Sequence, residues 1–502
     1  MALGRAHSVA VNGVDGQLVE IEADLGRGLP GVHLVGLPDT ALQESRDRVR
    51  AAIANSRESW PSRRITLALS PATLPKVGSV YDLALACAVL CAAGSVPAAP
   101  LSDAVLLGEL ALDGRLRPVR GVLPALLAAR RAGWVRALVP AASLGEAALV
   151  QGVEVLGAHR LTEVLAWLRD GTELTRPAAV VSGPPDAVAD LGDVVGQGAA
   201  RWAVEVAAAG AHHLLLTGPP GTGKTMLAQR LPGLLPALGE HEALEVTAIH
   251  SVAGLLTAEC PLITRPAFVA PHHTSSVSAL VGGGSGLARP GAVSHAHRGI
   301  LFLDECPEFG SRALEALRTP LEDGEVRIAR RDGVARYPAR FQLVLAANPC
   351  PCASAREVEC VCPPTARRRY LGRLSGPLLD RVDLRVRMRP LASAALTDDT
   401  AEGSAAVRIR VAGAREAAAH RWSEHGWRTN AEVPGPALRQ RFRLSRPALV
   451  PLERALRTGE ITARGADRAL RVAWSLCDLA GGTAPGTDEV ASALQFRDRR
   501  AA

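Results

Sequence analysis

The chain has 502 residues, 48% of them hydrophobic and 21% charged, with a net charge of +7 and an isoelectric point near 9.2. That size and apolar content exclude a disordered chain and point to about three domains. Nine cysteines in a chain without a charged-then-apolar leader exclude a disulfide framework and give a cytoplasmic expectation, and the modest positive excess permits a polyanionic partner without requiring one.

Residues 1–172 alternate short apolar runs with Gly and Pro turns, beginning with Val9-Ala10-Val11 and Asn12-Gly13. The longest apolar run, Leu83 to Gly94, has the length of an Ala-rich core helix and falls short of the roughly 18 residues of a membrane span, so no membrane association is expected. A Pro, Ala and Asp-rich stretch over 173–190 reads as a linker.

Of the 57 basic side chains only Lys76 and Lys224 are lysines, so a position that keeps Lys is informative. Lys224 lies in Gly218-Pro219-Pro220-Gly221-Thr222-Gly223-Lys224-Thr225, between an apolar strand over 213–217 and a helix over 226–231. The glycines let consecutive backbone N–H groups face phosphates, a compact ammonium reaches the terminal phosphates, and Thr225 is suited to Mg²⁺. ATP binding and hydrolysis are expected.

The 80 positions from Lys224 to Asp304 exceed one strand–helix connection and imply an insertion. It carries Pro271-His272-His273-Thr274 and a Gly-rich loop over 281–286. His272 and His273 lack paired Cys or carboxylates nearby, which favours hydrogen-bonded loop histidines over metal ligands.

A second apolar strand, Gly299 to Leu303, ends in Asp304-Glu305, with Asp304 suited to the Mg²⁺ shell and Glu305 to activating water. A β-hairpin is read over 325–334. A third strand, Phe341 to Ala347, closes on Asn348, a neutral amide able to position that water. Beyond it Cys350, Cys352, Cys360 and Cys362 make a C-x-C-x7-C-x-C set, read as a Zn²⁺ site or as four free thiols. Arg367-Arg368-Arg369 follows, either a nucleic-acid contact or a solvated run. The nucleotide-binding core is assigned to 191–390 and a helical lid to 391–502, with Arg408, Arg415 and Arg421 on one helix and further helices over 447–457 and 464–479.

Together these segments resemble the YifB/ComM family of magnesium chelatase-like AAA+ ATPases, through Val195-Gly196-Gln197, Ala270 to Thr274, Leu303 to Phe309, Pro320 to Gly324, Asn348 to Cys352 and Ser375 to Leu384. The resemblance implies an α/β P-loop AAA+ core, an α-helical C-terminal lid and assembly into a ring, expected to be a hexamer. ComM-type members are DNA helicases promoting branch migration, so DNA, single-stranded or branched, is the implied partner. Arg381 becomes the arginine finger acting on the neighbouring subunit's nucleotide, and Arg464 the sensor-2 arginine, with Arg471 as second candidate. The hairpin's Arg327, Arg330 and Arg331 become pore contacts to DNA phosphates, against the alternative of solvated arginines. The family usually has Gly where this chain has Ala353.

Residues 1–172 further resemble the Lon protease domain, an α+β fold, through Pro75 to Val80, Gly108 to Val119 and Ala128 to Gly133. The Lon Ser–Lys dyad falls on Val80 and Leu123, so proteolysis is expected to be absent. The competing readings are a chelatase-type motor remodelling a protein partner and an ATP-gated scaffold that moves nothing.

Overall fold

The computed structural model describes residues 3–36, 40–178, 189–284, 288–330, 333–354, 359–390 and 402–497. Most of the expected linker, the tip of the Gly-rich loop, Arg331 and the start of the expected lid at 391–401 lie outside the described residues. Among the described residues no helix is long and apolar enough to cross a membrane.

The first part of the chain supplies β1 (Leu3–Asn12), β2 (Asp15–Gly26), β3 (Gly31–Val35), β4 (Arg64–Ser70), β5 (Ala104–Leu106), a small ladder of β6 (Glu109–Leu110) with β7 (Leu116–Arg117), β8 (Arg136–Pro140) and β9 (Glu154–Ala158). Seven of these form one sheet in the order β3-β4-β2-β1-β5-β8-β9. Val19, Ile21, Ala23 and Leu25 of β2 are buried while the residues between them are not, the alternation of a strand with one face on the core. The helix Asp82–Ala92 sits against that face, and Leu, Ala and Val side chains suit a helix enclosed on all sides. Its first residue, Asp82, is fully buried, and it is held there by Arg48 Nε at 3.0 Å and by the Leu110 amide at 3.2 Å.

The second sheet contains β10 (Leu214–Thr217), β11 (Phe268–Val269), β12 (Ile300–Leu303), β15 (Gln342–Ala347) and β16 (Leu384–Arg387), in the order β11-β12-β15-β10-β16. All neighbouring pairs are parallel, and every residue of β10, β12 and β15 is buried, because a parallel sheet is covered on both faces. The expected insertion is thus not all peripheral: it contributes the edge strand β11. Between β12 and β15 the chain forms the hairpin of β13 (Glu325–Arg330) and β14 (Gly333–Pro338), four residues longer than read from the sequence.

Helices Ser404–Trp422, Arg446–Arg457, Ala463–Leu479 and Thr487–Gln495 follow. They share one hydrophobic core with a face of the second sheet, centred on the fully buried Trp422, whose indole N–H donates to Asn430 Oδ1 at 2.9 Å. The opposite face of that sheet packs under the hairpin through Val326, Ile328, Ala335 and Tyr337.

The two sheets also meet. Helix Glu240–Ala253 lies against helix Val122–Arg131, and half-buried Glu146 accepts hydrogen bonds from the Leu123 amide at 2.7 Å and from the Ser251 hydroxyl. The β1–β2 turn abuts β14: Asn12 Nδ2 donates to the Val334 carbonyl at 3.3 Å. Gly13 at this turn has φ +66°, and a Cβ there would stand 2.3 Å from the Arg336 carbonyl oxygen, so only glycine fits.

Candidate nucleotide site and its surroundings

The loop from Gly218 to Gly223 leaves the buried end of β10 and enters the helix Lys224–Arg230. Gly218 is packed so closely that a Cβ would lie 2.6 Å from the Met388 carbonyl oxygen. Lys224 is buried, and its ammonium donates to the carbonyls of Gly218 at 2.7 Å and Pro219 at 2.9 Å and to Asn348 Oδ1 at 3.0 Å. Burial lowers its pKa, and the carboxylates of Asp304 and Glu305 oppose that shift.

Asp304 and Glu305 stand at the end of β12. Asp304 Oδ2 accepts from Thr225 Oγ1 at 2.6 Å, and its Oδ1 accepts from the Glu305 amide at 2.9 Å. Glu305 has φ +47°, a left-handed conformation uncommon for a side-chain-bearing residue, which turns its half-exposed carboxylate away from the strand. His273 Nδ1 lies 3.6 Å from Glu305 Oε2, while His272 Nδ1 pairs with Thr274 Oγ1 at 2.8 Å. Three strand ends therefore bring Lys224, Thr225, Asp304 and Asn348 into one hydrogen-bonded set. Thr225 and Asp304 converge two hard oxygens, which fits Mg²⁺.

Two further contacts escaped the sequence reading. His273 was read only as a loop residue, and the strand pattern could not bring it to Glu305. Gln197, itself left-handed at φ +54°, donates from Nε2 to the Thr222 carbonyl at 3.2 Å and the Arg389 carbonyl at 2.7 Å, bracing the loop from outside.

Arg381 makes its contacts elsewhere. It is buried, with Nη1 donating to the Pro377 carbonyl at 2.6 Å and Nη2 paired with Glu322. Burial lowers its pKa, aided by the nearby Arg318, Arg464 and Arg468. Arg381, Arg464, Arg468 and Arg471 line one cavity of about 200 Å³ with Glu322, Asp380 and Asp467, so the arginine-finger candidate and both sensor-2 candidates share a face. Asp383 sets that arrangement: it accepts from Arg468 Nη1 at 2.7 Å and from the His213 amide at 2.9 Å. Arg471 is also committed inward, donating from Nε to the Val433 carbonyl at 2.7 Å, whereas Arg464 is exposed.

On the hairpin Arg327 and Arg330 are exposed, Arg327 pairing with Glu325. The sequence reading stopped before Arg336, which is exposed directly across from Arg327. Like charges in cross-strand register disfavour the ladder and are relieved by a bound polyanion. The four thiols Cys350, Cys352, Cys360 and Cys362 lie within 4.8 Å of one another, and none is in a disulfide. Ala353 has φ +48°, so the backbone takes the left-handed turn that the family's glycine supplies.

In the first sheet's region Leu123 is fully buried and Val80 half-buried. Ser79 Oγ donates to Glu109 Oε2, and the fully buried Lys76 donates to the Pro71 carbonyl, so the two side chains are engaged with different partners.

A parallel sheet with a glycine–lysine loop at one strand end and a packed helical region behind it defines a mixed α/β protein of the magnesium chelatase-like AAA+ class. Three family models match along the chain: subunit ChlI of Mg-chelatase over residues 21–143, magnesium chelatase subunit ChlI over 190–396, and the C-terminal part of that subunit over 401–497. An uncharacterized protein of Mycobacterium tuberculosis is 68% identical over 497 residues, 99% of both chains. YifB of Escherichia coli K12 is 42% identical over 95% of this chain and 94% of its own, and the competence protein ComM of Haemophilus influenzae is 40% identical over 99% and 98%. The chain belongs to the magnesium chelatase-like AAA+ family that includes YifB and ComM. That membership suggests an ATPase using ATP and Mg²⁺.

Proposed function

We propose that this protein is a Mg²⁺-ATP-dependent, ring-forming motor, a hexamer acting on single-stranded or branched DNA as a helicase or in branch migration during recombination or natural transformation. One observation carries the reading: Lys224 bonds Asn348 while Thr225 bonds Asp304, joining all three strand ends.

In this mechanism the backbone N–H groups from Gly218 to Gly223 and the Lys224 ammonium bind the phosphates of ATP. Thr225 and Asp304 would hold Mg²⁺, which when bound would neutralise phosphate charge. Glu305 orients the attacking water and takes its proton, Asn348 fixes the water's approach, and His273 restrains the Glu305 carboxylate. Arg381 and Arg464 of a neighbouring copy stabilise charge on the transferring group. Their shared face is tied through Arg468 and Asp383 to His213 at the start of β10, whereas the Lys224 loop leaves the other end of that strand, which supports action between copies.

For DNA, support comes from the competence protein among the relatives and from the exposed Arg327, Arg330 and Arg336 of the hairpin. The region up to residue 172 is assigned as a Lon-like platform without proteolysis, since Val80 and Leu123 offer neither nucleophile nor base. A four-way-junction assay with wild type and Lys224→Ala tests the function. ATP-dependent strand movement by the wild type alone supports it, and none by the wild type ends it.

The three chelatase family models favour a second reading, a motor remodelling a protein partner. Chelatase activity after addition of the partner subunits, with no strand movement on DNA, selects it. Salt-dependent DNA binding without DNA-stimulated hydrolysis selects a nucleotide-gated scaffold instead.

A further inference from the structure

We infer that Cys350, Cys352, Cys360 and Cys362 form a closed tetrathiolate site for a single Zn²⁺ ion, and that this site fastens the Asn348 strand end to the basic helix Pro364–Leu371. The sulfur positions carry the first half. Cys350 lies 3.1 Å from Cys352, Cys360 lies 3.4 Å from each, and all four Sγ atoms, Cys362 included, fall within 4.8 Å of one another. Zn–S bonds of about 2.3 Å at tetrahedral angles set sulfurs about 3.8 Å apart, in the middle of that range. A multi-iron cluster would spread the ligands wider. A disulfide needs sulfurs at about 2.05 Å, and all four thiols are free. With four soft thiolates and no carboxylate or imidazole, the donor set suits Zn²⁺ over Mg²⁺ or Ca²⁺ and leaves no open position for catalysis.

The backbone is arranged for the same end. Ala353 holds φ +48° immediately after the first pair, a strained conformation for a residue with a Cβ that the surroundings must offset.

The second half follows from what the ligands connect. Cys350 is buried two residues beyond Asn348, whose side chain accepts from Lys224. Cys362 is followed by Pro363 and Pro364, the latter opening the helix Pro364–Leu371 at the position proline favours. On that helix Tyr370 is buried, and Arg373 just beyond it donates to Glu308 at 2.7 Å and to the Pro307 carbonyl at 3.2 Å. An ion at the four sulfurs makes Asn348, the turn after β12 and the helix one unit, with Arg367, Arg368 and Arg369 facing solvent.

The site itself stands on geometry alone, and the coupling rests on the reading of Asn348 as part of an ATPase. The experiment keeps these apart. Full-length protein purified without chelators should carry one zinc per chain by elemental analysis, and Cys352→Ser and Cys360→Ser should each reduce this to about a tenth or less. Cobalt substitution of the wild type should give the thiolate charge-transfer and d–d bands of a tetrahedral S4 site, a readout that survives if the variants fold poorly. Zinc removal from the wild type should lower kcat for ATP about tenfold or more, with affinity for a fluorescent ATP analogue within about twofold. Absence of zinc together with absence of cobalt bands overturns the site, as does stoichiometric iron in place of zinc. Zinc present, with turnover unchanged on its removal, overturns the coupling to Asn348. A protein that hydrolyses no ATP at all but holds zinc refutes the motor and leaves the site standing.

Discussion

The loop around Lys224 and the region around Lys76 hold the chain's two lysines in opposite circumstances. Lys224 stands where three strand ends converge, bonding two carbonyls of its own loop but also Asn348 of another strand end, beside a Thr225–Asp304 pair that joins a third. Lys76 closes its own loop onto the Pro71 carbonyl, while Ser79 turns to Glu109 and Arg48 to Asp82. Polar groups that satisfy one another locally hold a fold together. Polar groups drawn from distant segments toward one point make a site.

Four experiments break or sharpen that contrast. Lys224→Ala should abolish ATP hydrolysis, a loss of about a thousandfold or more in kcat/KM; measurable turnover by the variant breaks the contrast at its strong end. Arg381→Ala should lower kcat by about a hundred- to a thousandfold. Mixing it with Lys224→Ala should restore part of the turnover, because an intact loop on one copy can then meet an intact arginine on another; a mixture as inactive as its components refutes action between copies.

A smaller effect is expected at Glu245, where the hydrogen bond from His297, with the Arg298 charge assisting against partial burial, holds the carboxyl down at about 2 from its ordinary 4.5. A folded-state pKa below the unfolded one gives stability that is full above pH 4.5 and is lost as pH falls toward about 2. Glu245→Gln should therefore flatten the pH dependence of thermal unfolding across that window; an unchanged profile sinks the assignment. At the weak end, Ser79→Ala and Lys76→Met should leave ATP turnover within about twofold, and neither they nor the wild type should degrade casein. Casein cleavage abolished by Ser79→Ala would establish a rearranged dyad.

The second sheet was legible because each of its central strands is a continuous apolar run ending in the residue that matters: Gly218, Asp304 or Asn348. Chemistry and chain position coincide there. The joint face of Arg381 and Arg464 was not, since it depends on Asp383 locking Arg468 of a helix 85 residues further on. Arg336 was missed because the hairpin reading ended one residue past Gly333, although Pro338 marks where β14 closes, and His273 because a two-residue edge strand, β11, leaves too little periodicity to orient the loop after it. Lys76 proves to be fully buried with the Pro71 carbonyl as its partner, a placement no motif in the sequence marks.

Asn12 and Gly13 seat the β1–β2 turn against β14 with no room for a Cβ at Gly13. A strand wedged in this way works as a lever with its fulcrum in the first sheet. The contact ties β14 to β1 and β2, so a displacement of β14 is shared with, or resisted by, the first sheet.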